Sequence, residues 1–125
     1  MTVLVDTSVM IDALRGVPDA VSLLRTRRLD GALHASEISK LEVLVGMLPH
    51  EERVTRALLD VFSWHPVDDE IAEIAGELGR RWHRKHCGID GADLAIAATV
   101  CALEAELLTR NVKHFPMFEG LAAPY

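Results

Sequence analysis

Sulfur, positive charge and long apolar runs are all scarce in this chain of 125 residues, and each scarcity excludes something. Two cysteines, Cys87 and Cys101, build neither a disulfide framework nor a paired-cysteine zinc site, and a reducing cytoplasm suits them best. Lys and Arg number 13 against 19 Asp and Glu, a formal net charge of −6. The uniform positive field of a simple duplex-coating protein is therefore missing, although an acidic metal site beside a local basic patch stays compatible. The most apolar run, Leu94 to Leu103, falls far short of the ~20 residues that cross a bilayer, so no membrane association is expected. Met1 to Gly16 has no basic region and carries Asp6 and Asp12 within its apolar stretch, unlike a signal peptide. Glycine-rich phosphate loops, dinucleotide fingerprints, a His-Glu-x-x-His pair and internal repeats are also absent.

What remains is half hydrophobic and about a quarter charged, enough apolar material for one compact domain over residues 1–125. Thr2 to Val5 reads as a strand, followed by a helix that Thr7 or Ser8 can cap and that runs to Arg15. Pro18 opens a second helix, and Gly31 to Ala35 reads as a buried strand. Ser36 can cap a helix to Met47, Glu51 to Phe62 reads as another, and Trp64 to Val67 as a strand weakened by Pro66. Ile71, Ile74, Ala75, Leu78 and Trp82 recur at helical spacing, which also places Trp82 on the buried stripe. Beyond Gly88 the spacing predicts an interior helix from Ala92 to Ala105 and a last strand from Leu107 to Thr109. Strands alternating with helices indicate an α/β fold with a mainly parallel sheet.

Three carboxylates stand where chemistry would need them. Asp6 ends the first strand, the edge of a parallel sheet where working residues gather, with helix capping as its alternative role. Glu42 is flanked by Leu41, Val43, Leu44 and Val45; it is either a ligand or part of a solvated helix face shared with Ser39. Asp93 lies in the most apolar helix, one turn after Asp90, and the two either serve the helix start or bring charge to a site. Converging carboxylates repel unless a cation neutralises them, and Mg²⁺ or Mn²⁺ is the natural occupant of an all-oxygen site. His83, His86 and Cys87 have a faintly ligand-like spacing but sit among Arg80, Arg81, Arg84 and Lys85, where a basic solvated face is the better reading.

The segments V-L-V-D-T-S (3–8), Glu42, A-D-L-A-I-A-A-T (92–99) and L-T-R-N-V-K-H-F (108–115), in this order and spacing, resemble the PIN-domain ribonucleases, and the chain looks like their VapC toxin branch. The resemblance implies a PIN-like three-layer fold, Mg²⁺-dependent endoribonuclease activity on RNA, a homodimer, and inhibition by a cognate VapB-type antitoxin. Carried over residue by residue, it implies that Asp6, Glu42 and Asp93 are the catalytic metal ligands. It adds Thr7 or Ser8, Thr109 and Asn111 as polar supports, and a fourth acid where this chain has His114, a gap that Asp90 could fill. Arg80, Arg81, Arg84 and Lys85 offer RNA backbone neutralisation. Two rivals are a receiver-like Mg²⁺-binding signalling domain, which wants an acid pair after the first strand where Asp6 stands alone, and a non-catalytic PIN-like interaction protein.

Overall fold

The computed structural model describes residues 1–83 and 88–125. Its elements are β1 (Val3–Val5), α1 (Thr7–Leu14), α2 (Pro18–Asp30), β2 (Leu33–Ser36), α3 (Glu37–Val45), α4 (Glu52–Leu59), β3 (Phe62–His65), α5 (Asp69–Trp82), α6 (Gly91–Leu103) and β4 (Glu106–Leu108), with 3₁₀ turns at Pro49–Glu51 and Val112–His114. The four strands form one parallel sheet in the order β3-β2-β1-β4, so β1 lies inside and its carboxyl end meets those of its neighbours.

Period-two alternation along the strands divides the core into two layers. Val3, Val5, Leu33, Ala35 and Phe62 face one way, against Val9 and Met10 of α1, Leu24 of α2, Val43 of α3 and Leu59 of α4. Leu4 and Leu107 face the other way, against Ile96, Ala97 and Val100 of α6 and the later Phe115. Helices cover both faces, as an all-parallel sheet requires, and the three-layer expectation holds. On the second face α5 lies against α6, so close at Gly79 that a Cβ there would stand 3.0 Å from Leu94 Cδ1.

Several boundaries differ from the sequence reading, each for a local reason. The helix expected from Glu51 to Phe62 stops at Leu59, because Phe62 pairs with Leu33 across the sheet and Trp64 donates its indole N–H to the Leu59 carbonyl at 3.0 Å. The strand expected at Trp64 to Val67 therefore begins at Phe62 and ends at His65, leaving Pro66 outside the ladder where its missing N–H costs nothing. Helix α3 ends at Val45, with Gly46 rather than Pro49 closing it. Helix α1 is capped by Asp6 and not by Thr7 or Ser8. Trp82 is half-buried, while Arg84, Lys85, His86 and Cys87 lie outside the described residues.

Candidate metal centre

Asp6 leaves the sheet where β1 gives way to α1. Its backbone N–H donates to the Leu108 carbonyl of β4 at 2.9 Å, so the residue is pinned to the neighbouring strand before the helix begins. Its side chain is almost fully buried, and Oδ2 accepts three bonds: from Thr109 Oγ1 at 2.7 Å, Ser8 Oγ at 2.6 Å and the Ser8 N–H at 3.4 Å. The two hydroxyls are themselves oriented, since the Arg110 N–H donates to Ser8 Oγ at 3.0 Å and the Asn111 N–H to Thr109 Oγ1 at 2.9 Å. Asn111 thus serves through its backbone. All of these bonds fall on one carboxylate oxygen, and none from the described residues reaches Oδ1. Capping is thus carried by Oδ2, and Oδ1 is left without a hydrogen bond among the described residues.

Glu42 joins the same group through α1. Thr7 Oγ1 stands 2.8 Å from Glu42 Oε1 and 2.8 Å from Ser39 Oγ. Thr7 is the donor in both contacts, so its one hydroxyl proton is shared between Glu42 Oε1 and Ser39 Oγ. Ser39 is fully buried, which corrects the idea that it shares a solvated face with Glu42. The three-residue spacing places both on the α3 face turned to α1, with the longer Glu42 stem reaching out to the surface.

Asp93 and Asp90 form a reciprocal capping box at the start of α6. The Asp93 N–H donates to Asp90 Oδ1 at 2.8 Å and the Asp90 N–H to Asp93 Oδ2 at 3.2 Å. Asp90 is thereby a helix cap. Asp93 does more, because its Oδ2 also lies 3.2 Å from His114 Nδ1, in the turn that follows Thr109 and Asn111. Burial pushes the Asp93 carboxyl up to about 6, opposed by the Asp90 N–H, reinforced by the Asp90 charge and opposed by His114. Segment 109–114 therefore holds Asp6 at one end, through Thr109, and Asp93 at the other, through His114.

Among the described residues, no three or more His, Cys, Asp or Glu side chains are gathered into a cage that could hold a metal ion. Such a cage suits zinc; Mg²⁺ keeps several waters and takes one or two carboxylates, completing its octahedron with solvent and substrate oxygens. A group that could take part in a site of that second kind is the buried Asp6 carboxylate, oriented by two hydroxyls and with Oδ1 unbonded among the described residues. Of the basic residues, Arg80 lines a cleft of about 310 Å³ with Asp90, Gly91 and Leu94, and Arg81 is exposed at the end of α5.

Residues 3–117 match the model of the family described as PIN domain. The chain is 42% identical over 123 residues to Ribonuclease VapC19 of Mycobacterium tuberculosis, covering 98% of each protein. Ribonuclease VapC10 of the same organism is also 42% identical over 123 residues, covering 98% of this chain and 92% of that one. Among solved structures, a toxin–antitoxin complex from Klebsiella pneumoniae superposes with a TM-score of 0.84 at 30% identity, over 99% of this chain and 98% of that one.

Proposed function

The chain belongs to the PIN-domain family, and from that premise we propose that it is a Mg²⁺-dependent endoribonuclease acting as the toxin of a type II toxin–antitoxin pair. The observation that carries the reading is Asp6: at the carboxyl end of an inner strand, with Oδ2 bonded by two hydroxyls and the Ser8 N–H, and Oδ1 unbonded among the described residues. In this reading Asp6, Glu42 and Asp93 hold the cation, Mg²⁺ or Mn²⁺. When bound, the ion supplies an activated water and neutralises charge on the scissile phosphate. Ser8 and Thr109 hold Asp6 in place, His114 steadies Asp93, and Arg80 with Arg81 meets the phosphates of an RNA strand.

Two surface features support partners. An apolar groove of about 400 Å³ between α1, α2 and α4 is lined by Leu14, Val21, Leu24 and Leu58, with Arg25 and Arg28 at its rim. It suits an antitoxin segment with apolar side chains flanked by acids; basic residues of the same antitoxin would pair with the acidic centre and displace the cation. Leu41 and Val45 form an exposed apolar ridge on α3, continued by Leu48, which suits a homodimer contact. No helix of the described residues is long and apolar enough to cross a membrane, and we place the protein in the cytoplasm.

Incubation of the purified protein with labelled single-stranded RNA tests the activity. Cleavage is expected with Mg²⁺, loss with EDTA, and loss in Asp6→Asn. Equal cleavage in EDTA removes the metal reading, and no cleavage under any divalent ion favours the non-catalytic interaction protein.

A further inference from the structure

Two imidazoles on neighbouring strands take no part in the nuclease reading. His34 of β2 and His65 of β3 lie on the sheet face that α5 and α6 cover, with His34 Nδ1 2.8 Å from His65 Nε2 and ring centroids 5.0 Å apart. We propose that the pair is a proton-operated latch on the edge strand. It holds β3 to β2 while at least one ring is neutral, and with both rings protonated it releases His65 into the cavity beside it, toward Asp68 and Glu70. The latch is independent of the metal centre and of RNA cleavage.

Two ring nitrogens 2.8 Å apart leave room for one proton between them. With both rings neutral, or with one charged, one nitrogen donates and the other accepts, and the contact is a hydrogen bond. With both charged, two N–H groups and two positive charges face each other, and the contact turns repulsive. Burial, then the His65 ring, lowers the His34 pKa below 6.5, the direction expected of a pair that resists its second charge. His65 is the ring with somewhere to go. Its strand ends the sheet, and it lines a cavity of about 220 Å³ with Pro66, Asp68, Glu70, Thr99 and Leu103. The charged groups around the pair favour the move. From α5 come Asp68 and Glu70, both exposed on the cavity wall, whereas α6 presents Thr99, Ala102 and Leu103, which do not titrate. Lys40 of α3 stands 4.7 Å over the Trp64 ring, on the opposite face of β3. An imidazolium leaving His34 therefore meets two carboxylates. The register sets His65 opposite Ser36, whose hydroxyl caps α3, so the latch closes the last rung of the β2–β3 pair.

Amide hydrogen exchange of the full chain, followed by NMR from about pH 7.5 to 5 and corrected for the intrinsic pH dependence of exchange, tests the latch. Below pH 6.5 the β3 amides are expected to exchange about 10-fold faster per pH unit, the slope for one proton taken up on opening. The β1 amides of Leu4 and Val5 are expected not to follow. Imidazole ¹⁵N shifts on the same samples are expected to show the His34–His65 bond lost over the same range. His65→Gln, which cannot take the proton, is expected to keep the β3 amides slow throughout. Glu70→Gln removes one carboxylate from the cavity and is expected to move the release to lower pH. Exchange that quickens equally in β1 is global acid unfolding and overturns the latch. So does β3 exchange that stays constant, or a His65→Gln chain that opens as the parent does. If His65→Gln does not fold, the parent's imidazole shifts decide, and a His34–His65 bond intact at about pH 5 overturns the proposal.

Discussion

Asp93 is a carboxylate that both closes the capping box of α6 and is half-buried beside His114. Burial holds its carboxyl at about 6, above the ordinary aspartate value of 3.8. Between those values the native state binds a proton that the unfolded chain releases, so stability falls as pH rises from about 4 to 6 and stays reduced at neutral pH. Asp93→Asn removes that burden, on the order of 1–3 kcal/mol. Without divalent ions the variant is expected to melt above the parent at pH 7 and to match it near pH 4. With Mg²⁺ the order reverses, because the parent gains stability from the ion and the variant gains much less. RNA cleavage is expected to be lost in the variant. A parallel pair of melting curves at the two pH values checks all but the last statement. His34 carries the opposite sign. Burial first, and the His65 ring second, lower its pKa below 6.5, while its Nδ1 lies 2.8 Å from His65 Nε2. The neutral ring is the native form, so its stability is present above pH 6.5 and is lost as pH falls below it. His34→Gln is expected to flatten the decline between pH 7 and 5 in urea midpoints, and an unchanged acid limb contradicts the assignment.

At the scale of elements, the division between cap and ligand is testable at α6. Asp90→Ala removes one half of the capping box, and about 1 kcal/mol of stability is expected to go with it. Mn²⁺ affinity is expected to be unchanged; a variant that folds normally yet binds no Mn²⁺ makes Asp90 a ligand instead. Elements with long periodic faces were readable in the chain beforehand: α5 from its apolar stripe, α6 from its near-uniform hydrophobicity, and β1 from its β-branched run before Asp6. The region from Glu51 to Val67 was not readable, because Leu58, Leu59 and Phe62 are apolar at helical spacing while Phe62 owes its strand conformation to Leu33, distant in sequence. Tertiary pairing overrode the local pattern. The candidate site divides in the same manner. Asp6, Glu42 and Asp93 stood out because charge amid apolar neighbours is legible one residue at a time. The roles of Ser39 and His114 depend on contacts to Thr7 and Asp93 from other elements, and no spacing within a single segment encodes those contacts.

For the molecule as a whole, segment 109–114 joins the two halves of the acidic centre, and the α3 ridge faces away into solvent. Val45 is 79% exposed there, the most open position of that ridge. Val45→Glu is expected to convert a dimer to a monomer by light scattering, without lowering the melting temperature of the isolated chain; a parent that is already monomeric at high concentration rejects this surface. The central claim is that Asp6, at the end of β1, Glu42 of α3 and Asp93 of α6 meet at one divalent cation; Glu42 accepts from Thr7, the residue after Asp6, and Asp93 pairs with His114. A crystal grown or soaked with Mn²⁺ and measured at the manganese absorption edge addresses that meeting point directly. The expected result is an anomalous peak at the carboxyl end of β1, bonded to Asp6 and Asp93 with Glu42 in the first or water-mediated shell. A fully occupied peak elsewhere on the protein, or no peak at saturating Mn²⁺, contradicts it.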